Sequence, residues 1–176
     1  MINNILFVTL IKKIAMLVDF NTLPETSRVW IYQANRSFTL DELVDIEKRI
    51  NEFLEKWTAH GADLKAGYEI KYKRFIIIGL DQGVNPATGC SIDTSVHFIQ
   101  KLEQEYNVDL IDRMNVSFKQ GEFVAYKPLD DFKKMAKNKS VSPNTIVFNN
   151  LVTNIAEYRT NWEVPAKDSW HNRFLN

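Results

Sequence analysis

Four consecutive apolar residues, Phe75-Ile76-Ile77-Ile78, constrain this chain most. Three of them are β-branched and none is polar, which is the pattern of a strand buried on both faces. Just before them, Tyr68, Ile70 and Tyr72 alternate with Glu69, Lys71 and Lys73, the period of a half-exposed strand. No Gly, Pro or Asn separates the two stretches. The spacing therefore predicts one long, bent strand running from solvent into the core. The alternative is two strands meeting near Lys73-Arg74.

Other elements arrange themselves around that core. Arg28-Val29-Trp30-Ile31-Tyr32-Gln33 reads as a first strand. Thr39-Leu40-Asp41-Glu42 is a capping box, and Leu43, Ile46, Ile50, Phe53, Leu54 and Trp57 follow at helical spacing, with the helix ending near His60-Gly61. A second helix starts between Cys90 and Asp93, with Ile92, Val96, Ile99, Leu102 and Tyr106 as its expected buried stripe. Asn115 to Lys119 and Glu122 to Lys127 form a hairpin around Gln120-Gly121. Leu129 to Lys137 and Thr145 to Thr160 read as third and fourth helices, and an aromatic, irregular tail closes the chain. The order β-α-β-α-β-β-α-α predicts an α+β fold, a small and mostly antiparallel sheet covered by helices. If the long strand splits, the first six elements take the ferredoxin-like order β-α-β-β-α-β.

The chain has 176 residues, enough for one domain with a sizeable core. Lys plus Arg and Asp plus Glu are both 22, so the net charge is zero. That balance argues against a dedicated nucleic-acid binder or a protein held on an anionic membrane. Lys71, Lys73 and Arg74 lie beside Tyr68 and Tyr72, but alternation sends the tyrosines and lysines to opposite faces of a strand. Lys133, Lys134, Lys137 and Lys139 read as a solvated helix face. One cysteine, Cys90, fits a reducing, cytoplasmic setting and supplies no thiolate metal site, so no metal and no cofactor are expected. The apolar stretch within residues 1–15 is too short to span a bilayer. Lys12 and Lys13 fall after its apolar run, the reverse of a signal peptide. It is read as upstream sequence translated in error or a disordered extension, with a real N-terminal helix or strand as the alternative, and the domain starting at Met16.

Candidate chemistry gathers between Asp81 and Asp93, a loop with two glycines and a proline leading into a helix start. Gly89-Cys90-Ser91 lacks the Lys of a phosphate loop, which excludes Walker-type hydrolysis. The helix start remains suited to an anion, with Gly89 and Ser91 as ligand-binding candidates. Cys90, Asp93 and His97 are spaced i, i+3, i+7 on the face opposite the apolar stripe, the arrangement of a candidate nucleophile with supporting groups. Cys90 and His97 stand about 10 Å apart along the axis, so a base for Cys90 would come from elsewhere, such as His60 or Asp112. His60 otherwise suits a helix C-terminus, and Asp112-Arg113 suits an ion pair or an anion clamp. Trp162, Trp170, His171 and Phe174 near Pro165 either plug the core or offer a partner or homodimer surface.

Five segments, Val29 to Gln33, Trp57 to Gly61, Gly89 to Asp93, Phe148 to Val152 and Trp162 to Ala166, resemble a family of uncharacterised bacterial proteins whose members often carry the label "ABC transporter ATPase". The resemblance runs from about Met16 to the C-terminus and implies no established activity. The chain itself holds no Walker A, no LSGGQ-like signature and no Walker B pattern. The reading is a cytoplasmic binding or interaction module, with a site between Asp81 and Asp93. The alternatives are a cysteine-dependent enzyme or thiol sensor at Cys90 and a non-hydrolysing binder of anions or nucleotide phosphates.

Overall fold

A computed structural model describes residues 16–175, so the reading of residues 1–15 lies outside the described residues. Strand β1 (Arg28–Gln33) leads into helix α1 (Leu40–Leu54). Thr39 and Glu42 close the capping box in both directions: the Glu42 N–H donates to Thr39 Oγ1 and the Thr39 N–H to Glu42 Oε2. The helix stops a turn earlier than its pattern suggests. Strands β2 (Thr58–Ala59) and β3 (Ala62–Asp63) follow as a tight hairpin. His60 and Gly61 both take positive φ at its tip, the two-residue geometry that matches strand twist. Gly61 is left-handed as expected, but in a hairpin rather than a helix cap.

The expected long strand is two: β4 (Ala66–Lys71) and β5 (Phe75–Leu80), paired antiparallel. The Arg74 N–H donates to Lys71 O across the turn, with Tyr72 and Lys73 at φ 54 and 50. A left-handed conformation costs a side-chain-bearing residue about 1–2 kcal/mol, which is why no turn signal is visible in the sequence. Tertiary bonds hold it instead. Ala34 N–H donates to Arg74 O, Phe38 N–H to Lys73 O, and Arg74 Nη1 to Ala34 O.

Helix α2 (Gly89–Tyr106), the hairpin β6 (Asn115–Gln120) and β7 (Phe123–Pro128), and helix α3 (Leu129–Lys137) follow, as the sequence predicts. The predicted fourth helix is mostly something else. Ile146-Val147-Phe148 forms β8 (Ile146–Phe148), a turn intervenes, and only α4 (Ile155–Asn161) is helical, capped by Asn154. The tail forms β9 (Glu163–Pro165) and two 3-10 turns.

These elements make an α+β fold with two main sheets rather than one. The first has the order β1-β5-β4, all antiparallel, so β1 and β4 run parallel with β5 between them. That is the split β-α-β of the ferredoxin-like order. The following strand does not complete it: β6 lies in a second sheet, β7-β6-β8-β9. Helices α1 and α2 cover one face of the first sheet, burying Ile46, Ile50, Ile99 and Leu102 against Ile76, Ile78 and Leu80. On the other face Phe75 and Ile77 meet Phe148, Ile155, Tyr158 and Trp162. A third cluster joins Val116, Phe118 and Val147 of the second sheet to Phe132 and Ala136 of α3. The tail thus folds back: Trp162, Val164, Ala166 and His171 are all buried. Among the described residues no helix is long and apolar enough to cross a membrane.

Gly67, on β4, shows how closely the segment leading into the 3-10 turn Phe20–Thr22 lies on the sheet. A Cβ there would come 2.6 Å from Val18 O and 3.0 Å from Phe20 N, both backbone atoms. Gly67→Ala is expected to destabilise by about 2 kcal/mol through overpacking, a fall in Tm of about 4–8 °C at this chain length. A melting curve matching the parent's would contradict that contact.

Candidate functional site

The stripe assigned to α2 from its sequence is rotated in the fold. Its buried residues are Ser91, Ser95, Ile99 and Leu102. The small serines let the helix lie close, and Ser91 O accepts from Trp57 Nε1 at 2.8 Å. Ile92 and Val96, expected in the core, are only half-buried and line a cleft of about 440 Å³.

This cleft follows the outer edge of β1, all six residues of which line it. Ile92, Val96 and Leu110 come from the helix-covered side of the first sheet; Phe148 and Val152 come from the other. Leu151, also in the lining, is 63% exposed. A side-chain chain closes one end. Trp162 Nε1 donates to Asn150 Oδ1 (3.0 Å), Asn150 Nδ2 to Gln33 Oε1 (2.9 Å), and Gln33 Nε2 to Asn115 O (3.1 Å).

The backbone of β1 is only partly paired on this side. Val29 N–H donates to Thr153 O at 2.9 Å and Ile155 N–H to Ser27 O at 3.0 Å. Residues 153–155 therefore act as a short fourth strand beside Arg28, and the chain then turns away. Ala34 N–H points the other way, to Arg74 O. Alternation along a strand consequently turns the N–H and C=O of Ile31 and Gln33 outward, into the cleft. Among the described residues none of these four groups has a hydrogen-bond partner.

The charged lining is Arg28, Arg113 and Asp112. Arg28 stacks over the Trp30 ring at 4.6 Å. Among the described residues neither arginine has a carboxylate within ion-pair distance, while Asp112 Oδ1 accepts from the Met114 N–H. Burial raises the Tyr32 hydroxyl above its ordinary pKa.

A second cleft, of about 300 Å³, lies around Tyr72, Tyr158, Glu69 and Glu163. Its carboxylates are already engaged. Tyr158 and Lys71 hold Glu69, and Tyr72 and Lys119 hold Glu163. These groups tie the Tyr72 turn to the tail.

The residues singled out from sequence are dispersed. Cys90, Asp93 and His97 are exposed on α2 and line neither cleft. Gly89 is the exposed first residue of that helix. Ser91 is consumed as a cap, its Oγ accepting from Thr88 N–H and donating to Thr88 O. His60 stands at the tip of the β2–β3 hairpin rather than in the helix C-terminus expected for it. Asp81 is buried and paired with Lys65. Asp112 and Arg113 reach the large cleft, and so does Trp170 of the aromatic tail. Among the described residues no three His, Cys, Asp or Glu are placed to hold a metal ion. Sequence reasoning missed the β1 edge, because an edge is defined by which strand fails to pair. Comparison of the chain with family models, with curated proteins and with solved structures finds no match.

Proposed function

We propose that this protein is a binding module that holds an elongated ligand in the cleft along β1. One observation carries the reading: the unpartnered main-chain groups of Ile31 and Gln33 sit between apolar walls. Apolar walls with a few convergent polar groups are the usual composition of a ligand site. The exposed position of Cys90 outside both clefts weighs against thiol chemistry as the main role. The anion reading loses Ser91, whose side chain is spent on the helix cap.

A small probe tests this. N-acetyl-leucine-N-methylamide offers one apolar side chain and two amides. At about 0.3 kcal/mol per heavy atom its Kd is expected near 1 mM. In amide NMR spectra the shifts should concentrate at Ile31, Gln33, Ile92 and Val96, and Val96→Arg should abolish them while leaving the rest of the spectrum intact. Shifts centred on residues 81–90 with Ile31 and Gln33 unmoved, or none at tenfold excess over that value, would overturn the reading.

A further inference from the structure

Resting on that reading, we infer that the occupant is an extended, apolar peptide segment flanked by an acidic residue, which joins β1 as an added strand. The groups on offer set the backbone form. Ile31 and Gln33 present a donor and an acceptor each, two residues apart, so the pairs repeat at about 6.6 Å. An extended chain matches that repeat, because its own outward amides recur at the same interval. The fold already uses this pairing once. Residues 153–155 occupy the same seat beside Arg28 and leave the remainder of β1 open.

Length and side-chain character follow from the walls. The seat runs from Val29, taken by Thr153, to Gln33, where Asn150 and Asn115 close the cleft. Four strand steps span about 13 Å, so four or five peptide residues fit. Successive side chains of an added strand point to opposite faces. One set would meet Ile92 and Val96, the other Phe148 and Val152. Both sets are therefore apolar. The two arginines without carboxylate partners exceed the single Asp112 by one charge, which favours a carboxylate on the flank.

A second copy of this chain is a poorer occupant. Its own β1 edge is recessed between the same walls, so two such edges cannot be brought within hydrogen-bonding distance. A bare peptide has no walls of its own.

The probe is the peptide acetyl-Glu-Val-Leu-Val-Thr-amide, compared with the same peptide methylated on every main-chain nitrogen. In NMR titrations at low ionic strength the parent is expected to shift the Ile31 and Gln33 amides, and methylation is expected to weaken it at least tenfold. Exchanging Glu for Lys in the peptide should weaken binding about threefold to fivefold, as an exposed ion pair of up to about 1 kcal/mol allows. Arg113→Glu should reverse that preference. Equal binding of parent and methylated peptides within the cleft would overturn strand addition while leaving the cleft as the binding site. No shift from either peptide, with N-acetyl-leucine-N-methylamide still binding, would do the same. Failure of all three probes would remove both readings. A concentration-dependent dimer that itself shifts Ile31 and Gln33 would replace the peptide with a second copy.

Discussion

Phe75→Ala is expected to lower the unfolding free energy by about 4 kcal/mol, within the 3–5 typical of a fully buried Phe. Phe75 has no exposed surface and sits where the two sheets meet. Its ring lies 4.7 Å from Phe148, 5.1 Å from Trp162 and 6.3 Å from Tyr72, measured between centroids. Truncation removes apolar burial and leaves a cavity, because neighbours drawn from β8, the tail and a hydrogen-bonded turn cannot all collapse into it. Against a typical total of about 5–15 kcal/mol, that is a large share. Phe75→Leu keeps most of the volume and is expected to lose about 1–2 kcal/mol. Phe148 also lines the β1 cleft, so the Ala variant should weaken probe binding under conditions where it remains folded. Urea denaturation gives the first quantity. A loss below about 1.5 kcal/mol for Phe75→Ala would mean that the second sheet is not seated on this ring.

The second large effect is a loss of stability in mild acid through His171. This imidazole is wholly buried. Ser169 Oγ bonds to Nδ1, Trp170 stacks on the ring at 3.9 Å, and Nε2 has no partner among the described residues. Burial, with a smaller contribution from nearby Arg173, lowers its pKa to about 4. In the unfolded chain it titrates near about 6.5. Between those values the unfolded state takes up the proton and the folded state does not. Stability is therefore full above about pH 6.5, falls as the pH drops, and has lost this contribution by about pH 4. Two and a half pKa units correspond to about 3 kcal/mol. His171→Leu should flatten the slope in that window. Glu42 is held down to about 2 by Arg36 hydrogen bonds and the Thr39 N–H. Its stabilisation is fully present above the ordinary carboxylate range and disappears only as the pH falls towards 2, so most of its change lies below that of His171. Equilibrium denaturation from pH 8 to 4 checks this, and an unchanged slope in His171→Leu would rule out the imidazole as its source.

What was legible in the sequence is what neighbouring residues decide. The α1 capping box, the start of α2, the β6–β7 hairpin and α3 all depend on spacings of a few residues, and all are present. The Tyr72-Lys73 turn was hidden because its left-handed residues are held by Ala34 and Phe38, far away in the chain. Ile146 to Phe148 passed for helix because the partners that make it a strand are residues 163–165 and Phe118. The α2 stripe was misassigned because two serines, rather than Ile92 and Val96, face the sheet. Of the site, Asp112, Arg113 and the tail residue Trp170 were anticipated. The cleft assembles four separate stretches of chain around one unpaired strand edge, and no local pattern announces which edge stays open.

The burial of Phe75 and Ile77 under residues 148–162 has a consequence for how the chain is made. Their helix-side neighbours Ile76 and Ile78 can find α1 and α2 once synthesis has passed Tyr106. The opposite face of the same sheet waits for Phe148, Ile155, Tyr158 and Trp162. A ribosome adding about 5–20 residues per second leaves the part of that face not covered by Phe20 and Leu23 open for several seconds. The nascent protein thus passes through a stage with one apolar layer sealed and another only partly covered. Residues 148–162 do for it what a chaperone does for others, arriving only after the helix-covered layer can form.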